Sequence, residues 1–260
     1  RRSGKIGLLI IGFIFLIAFA APVIAPYDPH EVLIGKEEVK LKKRESPCIH
    51  LLGCDTAKPQ HLMGIDGNYR DQFSRIIYGS RISLSIGFST VSFAVIGGVL
   101  LGALAAYFGG WTDNIIMRMM DVILGFPSLL LAIAIVAVLG PGIRNALLAI
   151  AIVTLPAYAR LTRASVITVK ELDFVKASIA LGASPTRLLL FRILPNSLTP
   201  VVVLATLGIA TAILDAAGLS FLGLGAQPPM PEWGTMLGSE RNQVFSAPHL
   251  VFFPGIAIMI

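Results

Sequence analysis

Charge is scarce in this sequence. Only 14% of its 260 residues are Asp, Glu, Lys or Arg, against about 25% in an ordinary soluble domain. With 55% hydrophobic residues, the chain has too much apolar surface to be disordered. Several stretches hold no charge at all and are longer than a core helix needs, which argues against a soluble globular domain. No Gly-x4-Gly-Lys-Ser/Thr phosphate loop is present, so ATP chemistry of that kind does not belong to this chain. No internal repeat is evident and most mid-span positions are uncharged, which disfavours an ion-coupled transporter. An intramembrane hydrolase has little support either. Ser220 and His249 are the only vague nucleophile and base, and Gly218-Leu219-Ser220-Phe221-Leu222 is not Gly-x-Ser-x-Gly.

What the chain does have is apolar runs, and its mean hydropathy is +0.79. The length holds a bundle of about six helices of roughly 20 residues each, so the expected class is an all-α membrane protein. The first run covers residues 6–26 behind Arg1, Arg2 and Lys5. It is longer than the apolar core of a signal peptide and is read as a retained helix, residues 1–26. Residues 27–80 differ in kind: they mix both charge signs, contain several prolines, and hold the basic cluster Lys40, Lys42, Lys43, Arg44. They are read as the one sizeable loop outside the membrane. Residues 81–260 form the core. Its runs lie at 82–111, 114–139, 145–159 and 193–214, with a last one at about 244–260. That last run is too short to cross a hydrocarbon core of about 30 Å, so the natural protein is expected to continue past Ile260.

Basic residues collect on the cytoplasmic side of a membrane protein. With the N-terminus inside, the inner segments hold Arg1, Arg2, Lys5, Arg118, Arg160, Arg163, Lys170, Lys176, Arg187 and Arg192. The short outer segments hold only Arg144 and Arg241. That places the 27–80 loop outside and residues 168–195 inside.

The inner segment 168–195 cannot span a bilayer. Residues 169–181 read as an amphipathic helix, with Leu172, Val175 and Ile179 at helical spacing. Gly182 is a natural stop. Ser184-Pro185 offers an N-cap and a proline at the first helical position for a second helix, 186–194, stopping at Pro195. Such an elbow suits docking into a partner's groove or lying on the bilayer surface; the pattern alone does not choose.

Here the sequence resembles a known family. Lys176-Ala177-Ser178, three residues, Gly182, and then Leu194-Pro195 are similar to the EAA loop of permease subunits of ABC importers. Lys176 stands where that motif has Glu, Ser178 where it has Ala, and Arg192 where it has Ile. Ser74-Arg75-Ile76-Ile77-Tyr78-Gly79-Ser80-Arg81-Ile82-Ser83-Leu84 resembles the segment before the second span of "C"-type dipeptide/oligopeptide permeases. So does the stretch from Ala216 to Gly225 with Gln227-Pro228-Pro229 and Pro231-Glu232-Trp233-Gly234 after it. Tyr69-Arg70-Asp71 stands where the family usually has Gly-Arg-Asp.

The resemblance implies a type I ABC importer transmembrane domain in a prokaryotic inner membrane, working by alternating access. It implies a coupling elbow of Lys176, Ala177, Ser178, Leu181, Gly182, Ala183 and Ser184 that docks on an ATPase. The implied partners are a second, related permease forming a heterodimer, two ATP-binding cassette subunits carrying ATP and Mg, and an extracytoplasmic peptide-binding protein, within membrane lipid. No cofactor on this chain and no nucleic acid are expected. Within the family the substrate is a peptide or, alternatively, glutathione, a nickel chelate or a sugar.

Other groups carry open readings. Arg118 and Asp121 are one helical turn apart and suited to pair. Asp215 closes the 193–214 run, either on the substrate path or gate or merely at the interface. Pro127, Pro156 and Pro200 either hinge spans or kink them for packing. Gly98 and Gly102 form a small-xxx-small pair, read as intramolecular packing rather than dimerisation. Cys48 and Cys54, the only cysteines, are expected to form a disulfide outside, worth about 2 kcal/mol for so short a loop. Free thiols are the alternative, and a metal set of Cys48, His50, Cys54 and His61 a remote one.

Overall fold

The computed structural model describes residues 2–37 and 41–260. Arg1 and Lys40 lie outside the described residues. The described chain is helical, with no β-strand beyond the isolated bridges Cys48 to His61 and Ile65 to Asp71. The long elements are α1 (Arg2–Ile24), α2 (Gln72–Phe108), α3 (Gly110–Leu124), α4 (Ser128–Leu139), α5 (Ile143–Lys170) and α9 (Thr199–Phe221). Between α5 and α9 lie three short helices, α6 (Asp173–Ala180), α7 (Pro185–Leu188) and α8 (Leu194–Ser197). The chain ends in α10 (Trp233–Glu240) and α11 (His249–Met259).

The apolar runs become these helices, with shifted limits. Helices α2, α5 and α9 are long and apolar enough to cross a membrane, while the apolar part of α1, Leu9–Ile24, and α11 are shorter. Helix α2 starts at Gln72, about ten residues ahead of its charge-free run. The Asp71 carboxylate causes this by accepting from the backbone N–H and the hydroxyl of Ser74, both at 2.7 Å, as an N-cap does. The expected single run 114–139 is broken instead: α3 and α4 meet at a bend of 92°. Pro127 has no N–H to continue α3 and pushes Phe126 out of helical conformation. Pro156 is inside α5, and Pro200 falls in the first turn of α9, where its missing N–H costs nothing. Asp215 does not close its run, because α9 continues six residues further to Phe221.

The chain divides into two compact units. The first comprises Arg1–Ile86, Gly140–Ile143 and Ala216–Ile260. Its apolar centre is Ile76, Trp233 and Met236, packed with Met63, Phe253, Ala257 and Ile258. Trp233 Nε1 donates to the Ile76 carbonyl at 3.0 Å. A side chain at Gly79 would meet that indole nitrogen at 2.5 Å, so glycine is required for the approach. Cys48 and Cys54 are joined in a disulfide.

The second unit comprises Gly87–Leu139 and Arg144–Asp215. Here α2 packs on α5 through glycines. A Cβ on Gly98 would meet Tyr158 Cβ at 2.5 Å, and one on Gly102 would collide with the Ala159 carbonyl. The small-xxx-small pair therefore serves close packing of two helices of the same chain.

Candidate functional site

The elbow is built at the end of α5. Helix α5 stops at Lys170, and Leu172 is extended before α6 begins, so the expected continuous helix 169–181 is two helices with a turn between them. Helix α6 then stops in a Schellman motif. Ala183 N–H donates to the Ser178 carbonyl at 3.1 Å and Gly182 N–H to the Ile179 carbonyl at 2.9 Å, with Gly182 at φ +81°. Only glycine adopts that backbone conformation without strain.

Pro185 opens α7 as the sequence suggests. Ser184 sits at the N-cap position, but its side chain makes no capping hydrogen bond. The second elbow helix does not stop at Pro195. It passes through a π-helical turn, Leu189–Ile193, and on through α8 to Ser197. Pro195 lies in the first turn of α8, where no N–H is needed. Asn196 Nδ2 and Ser197 Oγ donate to the carbonyls of Arg192 (2.6 Å) and Ile193 (2.8 Å), satisfying groups in the disturbed ladder.

One face of the elbow is fixed. Val175 is fully buried in a cluster with Ala103, Ala106, Val166, Val169, Leu188, Leu189 and Ile193, and Tyr107 and Leu194 pack against it. Tyr107 Oη donates to the Pro185 carbonyl at 3.0 Å. Lys170 Nζ donates to the Tyr107 carbonyl at 3.1 Å and lies 5.5 Å from the centre of its ring. The tip of the elbow is thus tied to the end of α2 and the end of α5.

The other face is open. Leu181 is 88% and Phe191 72% exposed, and Phe174 and Ile179 are exposed too. A recess of about 730 Å3 is lined by Ser178, Leu181, Gly182, Ala183, Ser184 and Arg187 among others. Lys176 and Ala177 are exposed on α6. Lys176 is 3.6 Å from Glu171, a pair so exposed that it contributes little. All seven residues singled out in the elbow therefore fall on one short helix and its Gly182 turn. Their arrangement suits transmission of force: a stiff inner face bonded to two long helices and an outer face of mixed polar and apolar side chains with room for a partner.

Other singled-out residues lie elsewhere. Asp215 is half-buried on α9, without a side-chain hydrogen bond or ion pair among the described residues. Asp121 does not pair with Arg118. It accepts instead from Arg160 Nη2 on α5 at 2.5 Å. The metal set is not assembled. Cys48 and Cys54 are bonded to each other, and His50 Nε2 is 2.8 Å from the Lys58 carbonyl. His61 is claimed by carboxylates: its Nδ1 is 2.9 Å from Asp71 and its Nε2 3.2 Å from Glu37.

That last cluster escaped the sequence reading. Burial pulls the His61 imidazole down, but the Asp71 hydrogen bond and the charges of Asp71 and Glu37 outweigh it, so the net direction is up. Tyr27 stacks on His61 with centroids 5.4 Å apart and donates to Glu37 at 3.0 Å. Burial, then Glu37, pushes its phenol up to about 12. Nearby, Asp66 holds Arg70 at 2.8 Å and Arg75 at 3.6 Å. Tyr69, in the turn between these acids, has φ +59°, which explains why a glycine suits that position.

Known proteins are similar to this chain in sequence and in fold. Residues 98–260 match the family described as "Binding-protein-dependent transport system inner membrane component". Residues 1–42 match "N-terminal TM domain of oligopeptide transport permease C". The "Dipeptide transport system permease protein DppC" of Alkalihalophilus pseudofirmus is 48% identical over 260 residues, covering 100% of this chain and 80% of that one. The "Glutathione transport system permease protein GsiD" of Pectobacterium atrosepticum is 46% identical over 200 residues, 77% of this chain and 66% of that one. In fold, the chain is similar to the MetNI methionine ABC transporter in an inward-facing conformation. The TM-score is 0.58 at 17% identity, covering 71% of this chain and 88% of that chain. The chain belongs to the family of inner-membrane components of binding-protein-dependent transport systems.

Proposed function

We propose that this chain is the pore-forming permease subunit of an ATP-driven importer of dipeptides and short oligopeptides. The observation that carries the reading is the two-faced elbow: its inner face is bonded to α2 and α5, and its outer face is exposed and concave beside Gly182, with Leu181 and Phe191 set among Ser178, Ser184, Arg187 and Arg192. In this reading the elbow, within residues 168–195, lies in the cytoplasm and docks on an ATP-binding cassette subunit through Lys176, Ala177, Ser178, Leu181, Gly182, Ala183 and Ser184. Two such subunits bind and hydrolyse ATP with Mg, and this chain carries no cofactor. A second, related permease completes the pore. An extracytoplasmic binding protein delivers the peptide to the side where the 27–80 loop lies, with the N-terminus in the cytoplasm.

Alternating access then has a physical route. Closure of the ATPases displaces the elbow, and because Val175 and the Tyr107 hydroxyl tie it to long helices, the displacement turns those helices as bodies instead of bending the elbow. Asp215, a half-buried carboxylate on α9, is the group we assign to the path or gate.

Co-purification from native membranes in gentle detergent tests this reading. Recovery of a second permease, ATPase subunits and a binding protein whose released ligand is a dipeptide supports it; recovery of this chain without an ATPase overturns it. The relative that transports glutathione supports a second reading, with the same role and a γ-linked tripeptide as cargo. Glutathione released from the binding protein would replace the dipeptide with that cargo.

A further inference from the structure

Two ion pairs connect α3 to α5. Arg163 grips Asp113 with both arms of its guanidinium, Nε to Oδ1 at 2.5 Å and Nη2 to Oδ2 at 2.6 Å. Arg160 Nη2 reaches Asp121 Oδ1 at 2.5 Å. The acids are eight residues apart on α3 and the arginines three apart on α5, so the clamp covers more than two turns of α3. A bidentate arginine–carboxylate pair fixes orientation as well as distance. Met120, between the two acids in sequence, is buried.

Seven residues beyond Arg163 the same α5 ends at Lys170, which bonds the Tyr107 carbonyl. Val166 and Val169 of α5 pack with Val175 of the elbow. Elbow, α5 and α3 thus form an unbroken series of bonded or packed contacts. Helix α3 is, by contrast, separated from α4 by the break at residues 125–127 and the bend of 92°. Gly125 has no side chain to pack there, and Pro127 interrupts the helical ladder.

We propose that α3 is a transmission arm of the transport cycle. Asp113, Asp121, Arg160 and Arg163 are its positioning residues, and the break at 125–127 is its joint. Movement of the elbow is delivered through α5 to α3, which swings at the joint while its clamp holds. This inference rests on the importer reading and goes beyond it by naming which part of the transmembrane region the elbow drives. Arg160 and Asp121 are about half exposed and Arg163 and Asp113 partly shielded, so what the pairs supply is orientation more than stability. Removing one member opens the clamp, and the elbow's motion is lost before it reaches α3.

The test uses the assembled transporter in proteoliposomes, with dipeptide uptake and ATP hydrolysis read in the same vesicles. Asp113→Asn and Arg163→Gln should each lower uptake per ATP by at least about fivefold while hydrolysis continues. The exchanged pair, Asp113→Arg with Arg163→Asp, should return it to within about twofold of the original. Single variants with unchanged uptake per ATP overturn the proposal, as does an exchanged pair no better than either single. A second measurement stands apart from charge and assembly. Asp113→Cys with Arg163→Cys, joined by a bifunctional thiol reagent, should transport better than the same variant left unjoined, since α3 and α5 travel together. Arrest of transport on joining, absent from the original chain treated alike, overturns the proposal. Failure of the original complex to take up any dipeptide strikes at the importer reading instead, and is distinguished by having no variant effect to compare.

Discussion

The hydroxyl of Tyr107 donates to the carbonyl oxygen of Pro185 across 3.0 Å, joining the last turn of α2 to the first residue of α7. This bond and the burial of Val175 make the elbow an extension of the long helices. Pro185 is also where the second elbow helix begins, so the bond fixes the direction of that helix at its origin.

Tyr107→Phe should loosen that connection without emptying the apolar cluster. A hydrogen bond of this kind is worth about 1 kcal/mol net, and the phenyl ring retains its packing. Peptide uptake per ATP is expected to fall about fivefold, with helix content by circular dichroism unchanged. Coupling equal to that of the original chain would show that packing alone ties the elbow down.

Gly182 has two roles that substitution separates. Its φ of +81° strains any side chain, but a Cβ there would touch nothing within 4 Å. Asn tolerates the left-handed region, so Gly182→Asn should transport nearly as well as the original. Gly182→Ala carries a backbone cost of roughly 1 kcal/mol while leaving the recess open. Gly182→Trp adds bulk in the recess and should lower uptake by about tenfold or more while the bundle stays folded. Equal loss in the Ala and Trp variants would assign the effect to the turn and not to the space beside it.

His61 makes the 27–71 region sensitive to pH. Its imidazole is held above its ordinary value by Asp71 and Glu37 against the opposing effect of burial. A raised folded-state value means the stabilisation is fully present below about pH 6.5, the unfolded value. It is lost as pH rises through the folded value. Hydrogen exchange of residues 61–75 should therefore be slower at about pH 5.5 than at about pH 8, after correction for intrinsic exchange rates. His61→Gln should abolish the difference. Slower corrected exchange at the higher pH in the original chain would contradict this assignment.

Much of the architecture was legible from where charge is missing. The runs at 82–111 and 193–214 overlap most of α2 and α9 because a span must be continuously apolar, but the first continues past Phe108 into α3 and the second begins in the π-helical turn ahead of α9. Gly182 and Ser184-Pro185 mark the elbow because backbone conformation restricts which residues stand there. What did not show was anything decided between helices. Asp121 looked like a partner for Arg118 on its own helix and instead meets Arg160, since spacing along one helix says nothing of a neighbouring one. Tyr107 gave no signal at all: a tyrosine at the end of an apolar run is ordinary, and only the folded elbow brings Pro185 to its hydroxyl. The start of α2 was placed late because a search for uncharged residues passes over an N-cap such as Asp71. His61, read only as a remote metal ligand, is held between two carboxylates that are 10 and 24 residues away in sequence.

On the proposed function, an ATPase docks on the open face of the elbow. A photo-crosslinking amino acid in place of Leu181, the most exposed apolar side chain of α6 and its turn, tests it directly in native membranes. Capture of an ATP-binding cassette subunit is expected, with no such capture from Val175, which is buried against α5. Capture of lipid alone from position 181, with no ATPase product, would rule out docking there and leave the elbow as a helix resting on the bilayer surface.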